Sequence, residues 1–105
     1  MLTGTIVLNS LDSPSVLDEI EILNRTKDED WELVDIHATR EQILQLSKHL
    51  VPGPWYMHFW NGDDVLVVFK ERYFDIKYSD KTTWIPAVAY GKSIGIPEEQ
   101  LDFLK

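Results

Sequence analysis

The chain has no cysteine. That excludes disulfides, thiol nucleophiles and thiolate zinc sites together, and it suits a reducing compartment. Long apolar runs are also missing. The longest unbroken one, Val65–Phe69, is far too short to span a bilayer. Met1-Leu2-Thr3-Gly4 offers neither the basic nor the apolar part of a secretory leader, so the expectation is a cytoplasmic protein without a membrane partner. There is no basic cluster. With 10 Lys and Arg against 18 Asp and Glu, the formal net charge is −8, which opposes binding to nucleic acid. The simplest reading of that acidity is solubility. Glycine-rich loops are absent, which argues against a nucleotide phosphate cradle. His37, His49 and His58 never stand at i, i+2 or i+4 from one another, so neither a metal site nor a cofactor is expected.

What is present suits one globular domain over residues 1–105, with 44% hydrophobic and 27% charged residues. Folding a chain of this size buries roughly two thirds of its unfolded surface, enough for a core without metal or disulfide help. No repeat, low-complexity segment or linker interrupts it.

The stretch Trp55–Tyr78 organises the rest. Three strand-like runs are separated by two turn signals, Asn61-Gly62 and Lys70-Glu71-Arg72. Side chains alternate across a strand, and two-residue turns pair odd positions with even ones. One face of this antiparallel meander then carries Tyr56, His58, Trp60, Val65, Val67, Phe69, Phe74, Ile76 and Tyr78. The other carries Trp55, Met57, Phe59, Leu66, Val68 and Tyr73, with Asp64, Lys70, Asp75 and Lys77. A half-solvated sheet alternates apolar with polar, so an apolar second face implies a cover. That cover is either helices of the chain or another subunit.

Before the meander, Leu2–Leu8 reads as a strand. Ser13-Pro14 opens a helix, with Ser13 as N-cap, Val16, Ile20 and Leu23 at helical spacing, and an end near Asn24–Lys27. Lys27–Asp30 reads as a solvated loop. Trp31–Ala38 is a second strand. Thr39-x-x-Gln42 is a capping box for a second helix, whose stripe is Ile43, Leu46 and Leu50 and whose stop is Pro52-Gly53-Pro54. After the meander, Trp84, Ala87, Val88, Gly91 and Ile94 predict a third helix, with Gly91 allowing close approach to the sheet. Pro97 opens a short last helix packed down by Leu101, Phe103 and Leu104. The element order is β-α-β-α-β-β-β-α-α. It predicts an α/β or α+β mixed sheet of about five strands, with a right-handed parallel crossover first and the antiparallel meander last, covered by helices.

Three constellations could carry chemistry. At the carboxyl ends of the crossover strands, Asn9, Ser10, Ser13, His37, Thr39 and Arg40 could receive a small anionic ligand beside helix N-termini. The competing reading is ordinary capping with Arg40 in solvent. His37 is the one histidine suited to a ligand contact or a pH response. Second, Asp64 with Asp75-x-Lys77 shares one face; in a register centred on Glu71-Arg72, Asp64 comes near Lys77. Two carboxylates and a lysine can hold Mg²⁺ and orient a water, and the spacing is similar to the D…(D/E)-x-K pattern of restriction-type nucleases. Cross-strand charge pairing explains the same three residues without catalysis. Third, Tyr56, His58 and Trp60 along one strand, with Trp31 and Trp84, can line a pocket or serve as core. The sequence favours a non-enzymatic interaction or regulatory module that self-associates through Trp55, Met57, Phe59, Leu66, Val68 and Tyr73 as a homodimer or with a protein partner. An anionic-ligand protein and a Mg²⁺-dependent hydrolase are the alternatives.

Overall fold

Three two-residue reversals fix the register of the sheet. In the computed structural model, which describes residues 1–101, each turn holds one residue in the left-handed region: Glu29 at φ 47°, Gly62 at φ 59° and Glu71 at φ 56°. Only Gly62 adopts that conformation without a Cβ penalty. The six strands are β1 (Leu2–Val7), β2 (Glu21–Asp28), β3 (Trp31–Ala38), β4 (Met57–Asn61), β5 (Asp64–Phe69) and β6 (Arg72–Lys77). They form one antiparallel sheet in the order β2-β3-β1-β4-β5-β6. Two helices, α1 (Arg40–Ser47) and α2 (Ile85–Ser93), and several single 3-10 turns complete this α+β domain. Among the described residues no helix is long and apolar enough to cross a membrane.

The mixed five-stranded sheet with a parallel crossover is therefore corrected: the sheet has six strands and every pair is antiparallel. The difference lies in residues 14–28. The expected first helix shrinks to one 3-10 turn, Pro14–Leu17, and Glu21–Asp28 runs as an edge strand. Ser13 makes no side-chain cap; its hydroxyl lies 2.9 Å from that of Ser15. Leu23, the last residue of the supposed apolar stripe, is 52% exposed, so the helical spacing is coincidental. Asp28 pairs with Trp31 across Glu29-Asp30, which makes the expected solvated loop a hairpin turn. An adjacent hairpin costs less chain entropy than a crossover, and it leaves β2 and β3 antiparallel.

The second half follows the sequence more closely. Asn61 opposes Asp64 and Phe69 opposes Arg72, so both meander turns are two residues long and the two faces are as alternation requires. The second turn is Lys70-Glu71, one residue earlier than the centre expected. Thr39 caps α1 reciprocally with Gln42: the Gln42 N–H donates to Thr39 Oγ1 (3.2 Å) and the Thr39 N–H to Gln42 Oε1 (2.9 Å). The third helix splits into a 3-10 turn, Lys81–Trp84, and α2, with the Asp80 carboxylate accepting the Thr82 N–H. Gly91 makes room for Leu101 rather than for the sheet: a Cβ there would stand 2.6 Å from Leu101 Cδ2. The last helix is a single 3-10 turn, Glu98–Gln100, and Phe103 and Leu104 lie outside the described residues.

Two cores result, one on each face of the sheet. On the first face α1 and the segment around Leu11–Ile20 bury Ile6, Val34, Ile36, Met57, Phe59, Leu66 and Val68. On the second, α2 and Leu101 bury Val65, Val67, Phe69, Ile76, Trp84 and Ala87. This second core draws no residue from β1, β2 or β3, so the second face is helix-covered over one half of the sheet only.

Candidate functional site

The residues expected to hold an anion are not brought together. Because β1 and β3 are antiparallel, their carboxyl ends lie at opposite ends of the pair, with Leu2 against Ala38 and Val7 against Leu33. Six residues of strand separate the two ends by roughly 17 Å. Asn9 and Ser10 follow one end. The Asn9 amide donates to the Asp30 carbonyl and its oxygen accepts the Glu32 N–H, which ties the β2–β3 hairpin to the end of β1. The buried Ser10 hydroxyl donates to the Val7 carbonyl. His37, Thr39 and Arg40 belong to the other end. His37 Nδ1 stands 3.2 Å from Glu21 Oε2, and Thr39 is occupied in capping.

Arg40 instead joins the carboxylate group of the second constellation. It grips Asp75 with two parallel hydrogen bonds, 2.6 and 2.7 Å, and lies 5.1 Å over the Tyr73 ring. Lys77 donates to Asp64, its opposite number across β5 and β6. These four charges line an open cleft of about 630 Å³ at the end of the meander, with Leu2, Asn61 and Thr83. The Arg40 bonds hold the Asp75 carboxyl below its usual range, against the opposing effect of burial and with help from the charges of Arg40 and Lys77. The Asp64 hydrogen bond and charge raise the Lys77 ammonium. Each carboxylate already faces a cation, and among the described residues no group of three acidic or histidine side chains could hold a metal.

This arrangement makes a definite pH prediction. The Asp75 and Arg40 side chains are 62% and 44% exposed, so screening limits their bond to under about 1 kcal/mol. The folded carboxyl titrates below the unfolded one. Its contribution is present above the usual carboxylate pKa of about 4 and disappears as pH falls through the lowered value. Urea denaturation of wild type and Asp75→Asn should therefore differ slightly at pH 7, and the difference should vanish toward pH 2.

The expected interface is largely internal. Met57, Phe59, Leu66 and Val68 are each at most 2% exposed, under α1 and the Leu11–Ile20 segment. Trp55 is half-buried against Trp31, ring centroids 5.7 Å apart, and only Tyr73, at 46%, stands well out. The aromatic set on β4 is half-buried. His58 lies between Tyr56 and Trp60, at centroid distances of 6.2 and 5.7 Å.

That aromatic row borders the helix-free half of the second face. The register puts Thr3 beside Trp60 and Thr5 beside His58, then His37 beside Thr3 and Asp35 beside Thr5, and finally Glu21 beside His37 and Asn24 beside Asp35. Val7, Leu33 and Thr26 continue the same face. Thr5 Oγ1 donates to Asp35 Oδ1 at 2.6 Å. Thr5 is exposed, and Val7, Leu33, Asp35 and His37 are half-buried.

The charge on this side is one-signed. Residues 12–35 hold nine of the 18 acidic side chains and two of the basic ones, a net of −7 out of the chain's −8. Those two cations, Arg25 and Lys27, oppose Val34 and Glu32, which places them on the α1 face. Arg25 pairs there with Glu32 at 3.2 Å. The helix-free half therefore carries Glu21 and Asp35 with no lysine or arginine among its described side chains. Sequence reading treated the acidity as a whole-chain property; its concentration in 12–35 was the available signal. Compared with protein-family models, curated proteins and solved structures, the chain matches none.

Proposed function

We propose that the protein is a non-enzymatic interaction module whose helix-free sheet half receives a partner with a basic surface. The observation that carries this reading is the coincidence of two asymmetries: seven of eight net negative charges lie in residues 12–35, and the same stretch builds the half of the sheet that no helix covers. A flat face with half-buried Val7 and Leu33 supplies apolar contact, and Glu21 and Asp35 supply attraction for lysine or arginine. Such a surface sets partner choice and association rate more than raw affinity.

An octalysine peptide is a suitable probe. Titrated into the ¹⁵N-labelled protein at tens of micromolar and modest salt, it should move the amides of Thr3, Thr5, Leu33, Asp35 and His37. Glu21→Gln with Asp35→Asn should weaken the binding several-fold, since each removes a charge and keeps the shape. Shifts spread evenly over Asp63, Glu71 and Glu98 would mean that the peptide reports net charge alone, and would refute a built surface.

A further inference from the structure

Helix α2 is apolar around its whole circumference. Its sequence, Ile85-Pro86-Ala87-Val88-Ala89-Tyr90-Gly91-Lys92-Ser93, has one charged residue. Ala87 and Gly91 face the core, while Ile85, Pro86 and Ala89 are exposed, Ile85 at 65%. A helix apolar on every side belongs between two layers, and here one layer is missing. The outer side is a groove of about 400 Å³ lined by Trp84, Ile85, Val88 and Ala89 between Lys81 and Lys92. Lys92 lies 3.5 Å from Glu98; Lys81 lies 5.3 Å over the Trp84 ring and pairs with no carboxylate among the described residues. Residues 81–97 contain two lysines and no acid, the reverse of residues 12–35.

We infer that a second copy of the chain supplies the missing layer to both surfaces at once. Two sheets face each other about a two-fold axis. The α2 helix of each copy is sandwiched between its own β4–β6 and the helix-free β1–β3 of its partner. Ile85 and Ala89 meet Val7, Leu33 and Thr5, and Lys81 and Lys92 face Glu21 and Asp35. A rotation about an axis parallel to the sheets places β4–β6 of one copy over β1–β3 of the other, so both contacts form twice and the assembly closes. Charge complementarity selects the occupant: each copy carries the acidic face and the lysine-flanked helix that fits it. Whole-molecule repulsion between acidic copies opposes the contact, but at physiological salt it is screened within about 8 Å while close pairs persist. This dimer rests on the proposed reading of the acidic face as a receptor for a basic surface.

The test is molar mass by light scattering and sedimentation over micromolar to millimolar protein at 0.15 M salt, a level of roughly physiological strength. Wild type should approach twice the chain mass. Ile85→Asp and Thr5→Arg, both at exposed positions that the fold tolerates, should each raise the dissociation constant at least about tenfold. Mixed in equal amounts, the two variants should regain part of the affinity, because one of the two helix–face contacts is then wild type on both sides. Tyr73→Asp, on the opposite face, should leave the dimer unchanged. A monomer at every concentration overturns the dimer, and so does a dimer indifferent to Thr5→Arg, which would mean helix-to-helix contact alone. Octalysine titrated into Ile85→Asp separates the two readings. Binding at Thr5 and Asp35 without any wild-type dimer would leave the acidic receptor standing and remove only the second copy as its occupant.

Discussion

Phe59→Ala is expected to cost about 4 kcal/mol, the middle of the range for truncating a fully buried phenylalanine. Phe59 is 0% exposed and sits on β4, at the centre of the core beneath α1. Its ring lies over Gly4 of β1 and among Ile6, Met57 and Leu66, which are held by strands on both sides. The sheet cannot collapse into the gap, because β1, β4 and β5 are fixed at their own spacing by ladder hydrogen bonds. A domain of this size has roughly 5–15 kcal/mol in total, so the variant should be marginal at 25 °C. Its melting temperature should fall by on the order of 15 °C or more, measured by circular dichroism. Phe59→Leu keeps most of the volume and should cost under about 1.5 kcal/mol.

Gly4→Ala should be nearly as damaging, and by overpacking rather than by loss. A Cβ on Gly4 would overlap both the His58 carbonyl oxygen and the Phe59 ring. The ring could turn aside, but the carbonyl belongs to the β1–β4 ladder and has no freedom. The cost should reach the upper end of the overpacking range, about 3 kcal/mol. A double-mutant cycle separates the two clashes. Combined with Phe59→Ala, Gly4→Ala should cost less than it does alone, because the ring clash is gone, yet still more than nothing, because the His58 carbonyl remains. Strict additivity in urea melts would show that ring and glycine do not touch.

The legible parts of the fold are those with local chemistry. Asn61-Gly62 marks a tight turn in its own residues, and the parity of Met57, Phe59, Leu66 and Val68 follows from it. Thr39 and Gln42 announce α1 because a capping box is a contact between neighbours in sequence. Residues 14–28 were not legible. Val16, Ile20 and Leu23 satisfy helical spacing, and nothing nearby states that β3 offers Ile22 and Arg25 a ladder against Ile36 and Val34. Pairing across a hairpin is tertiary information, and it overrides a weak helical stripe. The error propagated: with a helix there, β1 and β3 look parallel, and Asn9, Ser13, His37 and Arg40 appear to converge. With β2 as a strand they separate, and Arg40 goes to Asp75.

The same strand decides the functional reading. If residues 14–27 were helical, the acidic residues would lie on a solvated helix, and the sheet half that faces Val7 and Leu33 would have no acidic rim. The cover of the meander also depends on it. Met57, Phe59, Leu66 and Val68 are already buried within one chain, so association has to use other surfaces. What remains exposed is Ile85 on α2 and the Thr5–Asp35 face, which differ in charge and are both unfilled.

The most direct test is therefore the conformation of Glu21–Asp35, read by nuclear Overhauser effects on the labelled protein. The hairpin predicts cross-strand contacts between Lys27 and Glu32, Thr26 and Leu33, and Arg25 and Val34, with strong sequential contacts typical of extended chain. Contacts between residues three apart along 16–27, with none across to β3, would establish a helix there and contradict both the six-stranded sheet and the acidic receptor face built on it.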